Sequence, residues 1–152
     1  MKTDENSFLG TGAKFPFEID KATGRIKTVS GNQSVKESIY IILMTGLTER
    51  LTRPDFGTNI MGYAFMSTGP TAMSMMQRDL CQAILAQEPR IADVDIDMQL
   101  SNSNEYMLIN IDYVVAATNS RDNLVFPFYL NIDEDVEEEE NEYYEPEIEE
   151  EI

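Results

Sequence analysis

The sequence predicts an α+β domain in which helices pack on one face of a small antiparallel sheet. Three observations predict it. Apolar residues recur at helical spacing in two separate stretches, Val35, Ile39, Ile42 and Leu43, and then Met73, Met76, Leu80 and Ile84. Three later segments, Val94 to Leu100, Met107 to Val115 and Leu124 to Ile132, alternate apolar and polar residues with period two. Clusters of Ser, Asn and Thr separate those segments, as turns require. At 152 residues, 42% of them hydrophobic, the chain has material for one core and no room for a second domain.

Taken in order, residues 1–14 are polar and glycine-containing and predict a flexible arm that orders when something pairs with it. Phe15-Pro16-Phe17 is the first apolar cluster. A turn at Thr23-Gly24 introduces a short strand, Arg25 to Val29, with Phe17 to Asp20 as its candidate partner. The first helix is expected to open on Ser34-Val35-Lys36-Glu37, where serine and glutamate can satisfy each other's backbone amides as a capping box, and to stop at Gly46. Glu49 to Gly57 contains Arg-Pro-Asp and ends in Phe-Gly, which predicts a structured loop with a turn at Pro54.

A short helical stretch from Asn59 to Phe65 breaks at Gly69-Pro70, and a longer helix follows from Thr71 to Glu88. Its stop is sharp, because Pro89 pushes Glu88 out of the helical region. The three alternating segments then read as an antiparallel meander. Pro127 lies inside the last of them and cannot donate to a ladder, which places that strand at a sheet edge.

Charge is unevenly distributed. The chain carries 28 acidic and 11 basic residues, a net charge of −17, but residues 133–152 hold 13 of the acids and no base, leaving 15 acids against 11 bases in residues 1–132. So much like charge predicts a disordered acidic tail at 133–152, beyond a folded domain at 15–132. The body offers no broad basic surface, so nucleic acid is an unsuitable partner. The longest apolar run, Ile39 to Met44, falls far short of the roughly 20 residues of a membrane span. A single cysteine and a first segment without an apolar leader point to folding in a reducing cytoplasm.

The sequence contains no histidine, which removes Ser-His-Asp and Cys-His constellations and histidine-dependent metal sites. Cys81 has no activating base to call on and reads as a buried, inert thiol. Glu49, Asp55 and Glu88 could in principle supply a glycosidase pair, but a body with 15 acids supplies such pairs by chance, and there is no tryptophan for sugar stacking. Asp93, Asp95 and Asp97 fit the solvent face of a strand better than a calcium loop, because no glycine turn follows. Met73, Met75 and Met76 read as core filling before they read as a binding surface. No catalysis, cofactor or metal is expected. Glu88-Pro89-Arg90 differs in kind: the proline fixes the helix end, presenting a carboxylate and a guanidinium on opposite sides of a rigid corner. On the residues alone a solvated ion pair at a helix end is the simpler reading.

Together these pieces resemble the baseplate wedge family of contractile phage tails, whose relatives serve type VI secretion and extracellular contractile injection systems. The resemblance is carried by Gly12 with Phe15-Pro16, by Ser34-Val35-Lys36-Glu37-Ser38-Ile39, by Glu49-Arg50-Leu51-Thr52-Arg53-Pro54-Asp55-Phe56-Gly57, and by Glu88-Pro89-Arg90-Ile91, and it covers Gly12 to Ile132. It implies a fold like the inner domain of contractile sheath subunits and a structural, sheath-initiating role in a six-fold baseplate. The protein would assemble in the cytoplasm and then become part of a tail or injection particle. The implied partners are baseplate wedge subunits and the sheath subunit, with tube or hub proteins as further candidates. By the same resemblance Glu88, Pro89 and Arg90 dock on a core bundle of the wedge, and Arg50, Arg53, Pro54, Asp55, Phe56 and Gly57 form a structural loop. Members of such families are sometimes labelled lysozyme. An edge strand is a template for a neighbour's arm, so segments 105–116 and 124–132 are the expected sheath-binding sheet, with Leu124, Phe126, Pro127, Phe128 and Leu130 as the pairing candidates. The residues do not distinguish which edge is used. The tail departs from the family pattern and has three open readings: a solubilising appendage, an electrostatic contact with a basic neighbour, or a guard over the edge strand.

Overall fold

The computed structural model describes residues 7–66, 69–103 and 105–130. A 3-10 turn, Ser7–Leu9, leads into β1 (Thr11–Ala13), which pairs antiparallel with β2 (Thr28–Ser30). Then come α1 (Gly31–Met44), the single turn α2 (Ile60–Tyr63) and α3 (Pro70–Gln87). A meander of β3 (Ile91–Leu100), β4 (Tyr106–Val115) and β5 (Ser120–Tyr129) completes the order, with sheet order β3-β4-β5 and both pairs antiparallel. Helices on one face of a small antiparallel sheet are the predicted architecture.

The core lies between those layers. Helix α1 buries Val35, Ile39, Ile42 and Leu43, and α3 buries Met76, Leu80 and Ile84, each spaced to share one side of its helix. Against them stand the inward residues of the sheet: Val94 and Ile96, then Met107, Ile109, Ile111, Tyr113 and Val115, then Phe126 and Phe128. The opposite face of β3 carries Asp93, Asp95 and Asp97, all exposed, so period-two alternation there separates core from water. No helix among the described residues is long and apolar enough to cross a membrane.

Several boundaries differ from expectation. Helix α1 starts at Gly31, before the anticipated capping box, because β2 feeds straight into it through Gly31 at φ 63, a left-handed turn that suits glycine. Ser34 and Glu37 therefore lie inside the helix and serve other partners. Glu37 accepts the Phe15 backbone N–H at 2.9 Å and the Gln33 amide at 3.0 Å. β2 finds its main partner in residues 11–13 and so orders part of the segment expected to be a free arm. The anticipated pairing of 17–20 with 25–29 is present as one bridge, Ile19 to Ile26, flanked by Asp20 N–H to the Arg25 carbonyl and Lys27 N–H to the Glu18 carbonyl, both 2.8 Å. β3 begins at Ile91, with an irregularity between Ile91 and Asp93, and β5 begins at Ser120, because Asn119 at φ 50 closes a turn tighter than its polar composition suggested. The tail at 133–152 lies outside the described residues.

Candidate interaction site

Three features singled out by the sequence can be placed: the corner at the end of α3, the loop before α2, and the two edges of the three-stranded sheet. At the first, Glu88 adopts φ −114 and ψ 91, the extended geometry that a following proline demands, and the chain turns a corner into β3. The two charges of the corner meet. Arg90 donates from Nε to Glu88 Oε1 at 2.7 Å and from Nη2 to Oε2 at 2.6 Å, a two-pronged fork, while its backbone N–H donates to Oε1 at 3.1 Å. The remaining prong, Nη1, donates to the Leu9 carbonyl at 3.0 Å and to Ser34 Oγ at 3.1 Å. The expectation of opposed, solvated charges is thus corrected. Glu88 is only 2% exposed, and a buried carboxylate needs a partner more than it needs water. Burial pushes the Glu88 carboxyl up, but the Arg90 fork, the Ser38 hydroxyl and the Arg90 amide outweigh it and hold the carboxyl below its ordinary range. The same fork raises Arg90. Pro89 stays exposed at the apex.

The second feature is the loop from Glu49 to Gly57. Glu49 accepts the Gly46 N–H at 2.8 Å, Thr48 N–H reaches the Pro54 carbonyl at 2.9 Å, and Thr58 N–H reaches the Thr45 carbonyl at 2.9 Å. The guanidinium carbons of Arg50 and Arg53 sit 4.7 and 5.7 Å from the centre of the Phe56 ring, within cation–π range. Gly57 has φ 104, and a Cβ there would lie 2.1 Å from the Thr45 carbonyl oxygen, so no other residue fits. The loop is fastened to the corner by a residue that no sequence motif marks. Gln87 accepts the Gly57 N–H at 2.7 Å and donates to the Gly57 carbonyl at 2.9 Å, pairing its amide with the backbone as a peptide unit would. The contacts of Arg90 with Ser34, expected only as a helix cap, and with the Leu9 carbonyl were not legible either, since they span 56 and 81 residues.

The third feature is the pair of sheet edges. Ser101 N–H donates to the Tyr106 carbonyl and Leu130 N–H to the Glu105 carbonyl, both at 2.9 Å, and these bonds fix which residues point their backbone groups inward. On β3 the outward groups belong to the even-numbered residues. There α3 covers them: Gln77 donates to the Ile96 carbonyl at 2.7 Å, and the Cys81 thiol lies 4.0 Å from the Val94 carbonyl. On β5 the outward groups belong to Asn123, Val125, Pro127 and Tyr129, and no described strand pairs with them. Pro127 interrupts that row by removing one donor. Leu124, Phe126, Phe128 and Leu130 turn their backbone groups toward β4, and Phe126 and Phe128 are buried in the core.

The acids weighed for catalysis sit in three different settings. Glu88 is held ionised behind Arg90, Glu49 is engaged with Gly46, and Asp55 is exposed on the loop. Burial pushes the Cys81 thiol up, with Asp95 and Asp93 adding to the effect, which makes it a poorer nucleophile.

The model of the family described as baseplate wedge protein gp25 matches residues 29–120, more than half of the chain. Among solved structures, a Geobacter sulfurreducens protein provisionally named a tail lysozyme is similar at 36% identity and a TM-score of 0.61, over 66% of this chain and 92% of that one. The anti-feeding prophage baseplate contains a chain with the same fold at 20% identity and a TM-score of 0.56, covering 85% of this chain and 92% of its own. A chain of the baseplate complex from the type VI secretion system matches at 20% identity and a TM-score of 0.53, over 65% and 93%. No match is found among curated proteins. The family match takes in α1, the Arg-Pro-Asp loop, α3, the Glu-Pro-Arg corner, β3 and β4, and on that ground the chain belongs to the gp25 family of baseplate wedge proteins.

Proposed function

We propose that the protein is a non-enzymatic building block of a contractile injection system baseplate, docked on the wedge at the Glu88-Pro89-Arg90 corner, that starts the sheath by accepting a sheath subunit's arm along β5. The observation that carries the reading is the asymmetry of the two edges. β3 is covered by α3, whereas the backbone groups of Val125 and Tyr129 face outward on a strand anchored in the core by Phe126 and Phe128. In that arrangement Leu124, Phe126, Phe128 and Leu130 anchor the strand, and the odd-numbered residues receive the guest. Pro127 limits the pairing to the two halves of the edge.

At the corner, the internal fork leaves Pro89 as the exposed contact and makes Glu88 and Arg90 the brace that fixes its position. The loop, tied to the same helix end by Gln87, would present Arg50 and Arg53 beside it. Six copies in a six-fold baseplate, contacts with tube or hub proteins, and assembly in the cytoplasm before incorporation into a particle belong to the same proposal. A lytic role, suggested by the name of the Geobacter protein, is disfavoured because Glu88 cannot serve as an acid while held ionised by Arg90.

The test is Val125→Pro, with Val125→Thr as control, introduced into cells that build the particle. The proline removes a second outward donor without touching the inward ladder. Folded protein that enters baseplates but carries no extended sheath is the expected result. Full-length sheath on Val125→Pro particles would sink the edge as the sheath's starting point.

A further inference from the structure

We propose, building on β5 as the edge where a sheath arm lands, that the hollow between α1, Phe15 and Leu124 selects that arm by taking one large apolar side chain from it. The hollow measures about 280 Å³; Phe15, Tyr40 and Leu124 form its apolar wall, and Gln33, Lys36 and Glu37 stand around the rim. An enclosed cavity of about 150 Å³ accepts a benzene ring, so an open one of this size has room for an aromatic or large aliphatic side chain.

Its place in the fold ties it to the edge. Leu124 pairs with Ile111 of β4 and shares the helix side of β5 with Phe126 and Phe128, which are buried there. Helix α1 meets the strand on that side: Lys36 is bonded to Asp122 at 2.8 Å, and the Tyr40 ring packs edge-on against Phe126 at 5.6 Å between centres. An added strand would lie about 4.8 Å beyond β5, with alternate side chains rising on the helix side. The backbone groups of Leu124 face β4, so in an antiparallel pairing the guest residue opposite it forms a non-hydrogen-bonded pair, the kind whose side chains approach most closely.

The rim determines what enters. Lys36 already holds Asp122, and each oxygen of Glu37 already accepts an N–H, one from the Phe15 backbone at 2.9 Å and one from the Gln33 amide at 3.0 Å. A charged guest would lose water and find these groups engaged. An apolar guest meets the rings of Phe15 and Tyr40, whose centres lie 5.7 Å apart in a tilted arrangement. Main-chain hydrogen bonds alone are indifferent to the guest's sequence, and pockets for alternate side chains supply the choice. The hollow does so near the Asn123-to-Val125 half of the edge, before Pro127 interrupts the row. The arm that fits is an alternating segment with a large apolar residue at the position facing Leu124.

The test places the photo-reactive residue p-benzoylphenylalanine at Gln33, on the exposed rim, and separately at Tyr129, at the far end of the edge, in cells that build the particle. Irradiated particles are digested and the captured residues identified by mass spectrometry. The Gln33 probe is expected to capture a sheath subunit next to a large apolar side chain in an alternating segment. Capture of sheath from Tyr129 but not from Gln33, or a small or charged sheath residue at Gln33, would overturn the pocket and leave the edge reading standing. Capture of sheath from neither position would overturn both. In the same cells Phe15→Ala, which keeps the backbone N–H to Glu37, should lower the yield of sheathed particles by about tenfold, and Phe15→Leu should retain most of it. Yields from Phe15→Ala equal to the parent's would also overturn the pocket, and the cross-link decides the matter even where that variant folds poorly.

Discussion

The Glu-Pro-Arg corner and the β5 edge are both plausible places for a neighbour to attach, yet the molecule treats them oppositely. At the corner every charged group finds its partner within the chain: Glu88 in Arg90, and Arg90 also in Leu9 and Ser34. At the edge an ordinary row of backbone groups has no strand beside it among the described residues. The conspicuous motif is satisfied at home and the inconspicuous one is open. A charge pair that rigidifies a corner makes a neighbour's docking geometry reproducible, while an open ladder supplies main-chain hydrogen bonds to whatever strand arrives. Experiments that separate bracing from binding should therefore affect the two regions differently.

The largest effect should come from Arg90→Glu. It sets a second carboxylate against a carboxylate that is already buried and removes the tie to Leu9 and Ser34. Breaking a buried pair typically costs about 3–5 kcal/mol, so the expected result is a much lower urea midpoint and early loss of the β1–β2 pairing by hydrogen exchange. A variant as stable as the parent would mean that the corner is not a brace. The same pair gives a sign to the acid response. Because the folded-state carboxyl of Glu88 sits below its unfolded value, its contribution is fully present above about pH 4.3 and fades as pH falls through the lower folded value. Arg90→Met should lose this part of the pH dependence along with the pair.

A smaller but still clear loss is expected from Gly57→Ala. The left-handed backbone at φ 104 and the 2.1 Å approach to the Thr45 carbonyl together force the loop to move, at a cost of about 3 kcal/mol. The informative readout is where the damage spreads. Gln87 grips Gly57 at both its N–H and its carbonyl, so amide exchange should quicken at the end of α3 as well as in the loop. Damage confined to residues 47–58 would show that loop and corner are independent.

The sequence shows some of this design plainly and hides the rest for identifiable reasons. The meander and α3 are legible because period-two alternation, periodic burial of Met76, Leu80 and Ile84, and a proline after Glu88 are local signals that tertiary packing reinforces. The start of α1 is not, because it is set by the hand-over from β2 through Gly31, and β2 itself depends on a partner strand upstream, in the register Thr11 to Ser30 and Ala13 to Thr28. The corner's position could be read from Pro89, whereas its closure could not, since burial of Glu88 depends on Leu9, Ser34 and Ser38 arriving from elsewhere. Edge placement for β5 followed from Pro127. The difference between the edges did not, because Gln77 reaches the Ile96 carbonyl only once α3 lies against β3.

The smallest effect on stability should accompany the most informative change at the edge, Pro127→Val. Valine suits a strand, and its N–H would point away from β4, completing the row of outward donors at Val125 and Tyr129 without altering any inward bond. Stability should change by less than about 1 kcal/mol. Association should change far more, because an uninterrupted, partly apolar edge invites a second copy to pair with it, and α3 covers the alternative edge. Sedimentation velocity across a concentration series should reveal a dimer absent from the parent protein. If Pro127→Val stays monomeric and still accepts sheath normally, the proline is neither guard nor register mark, and the edge must be protected by its twist or by another part of the chain.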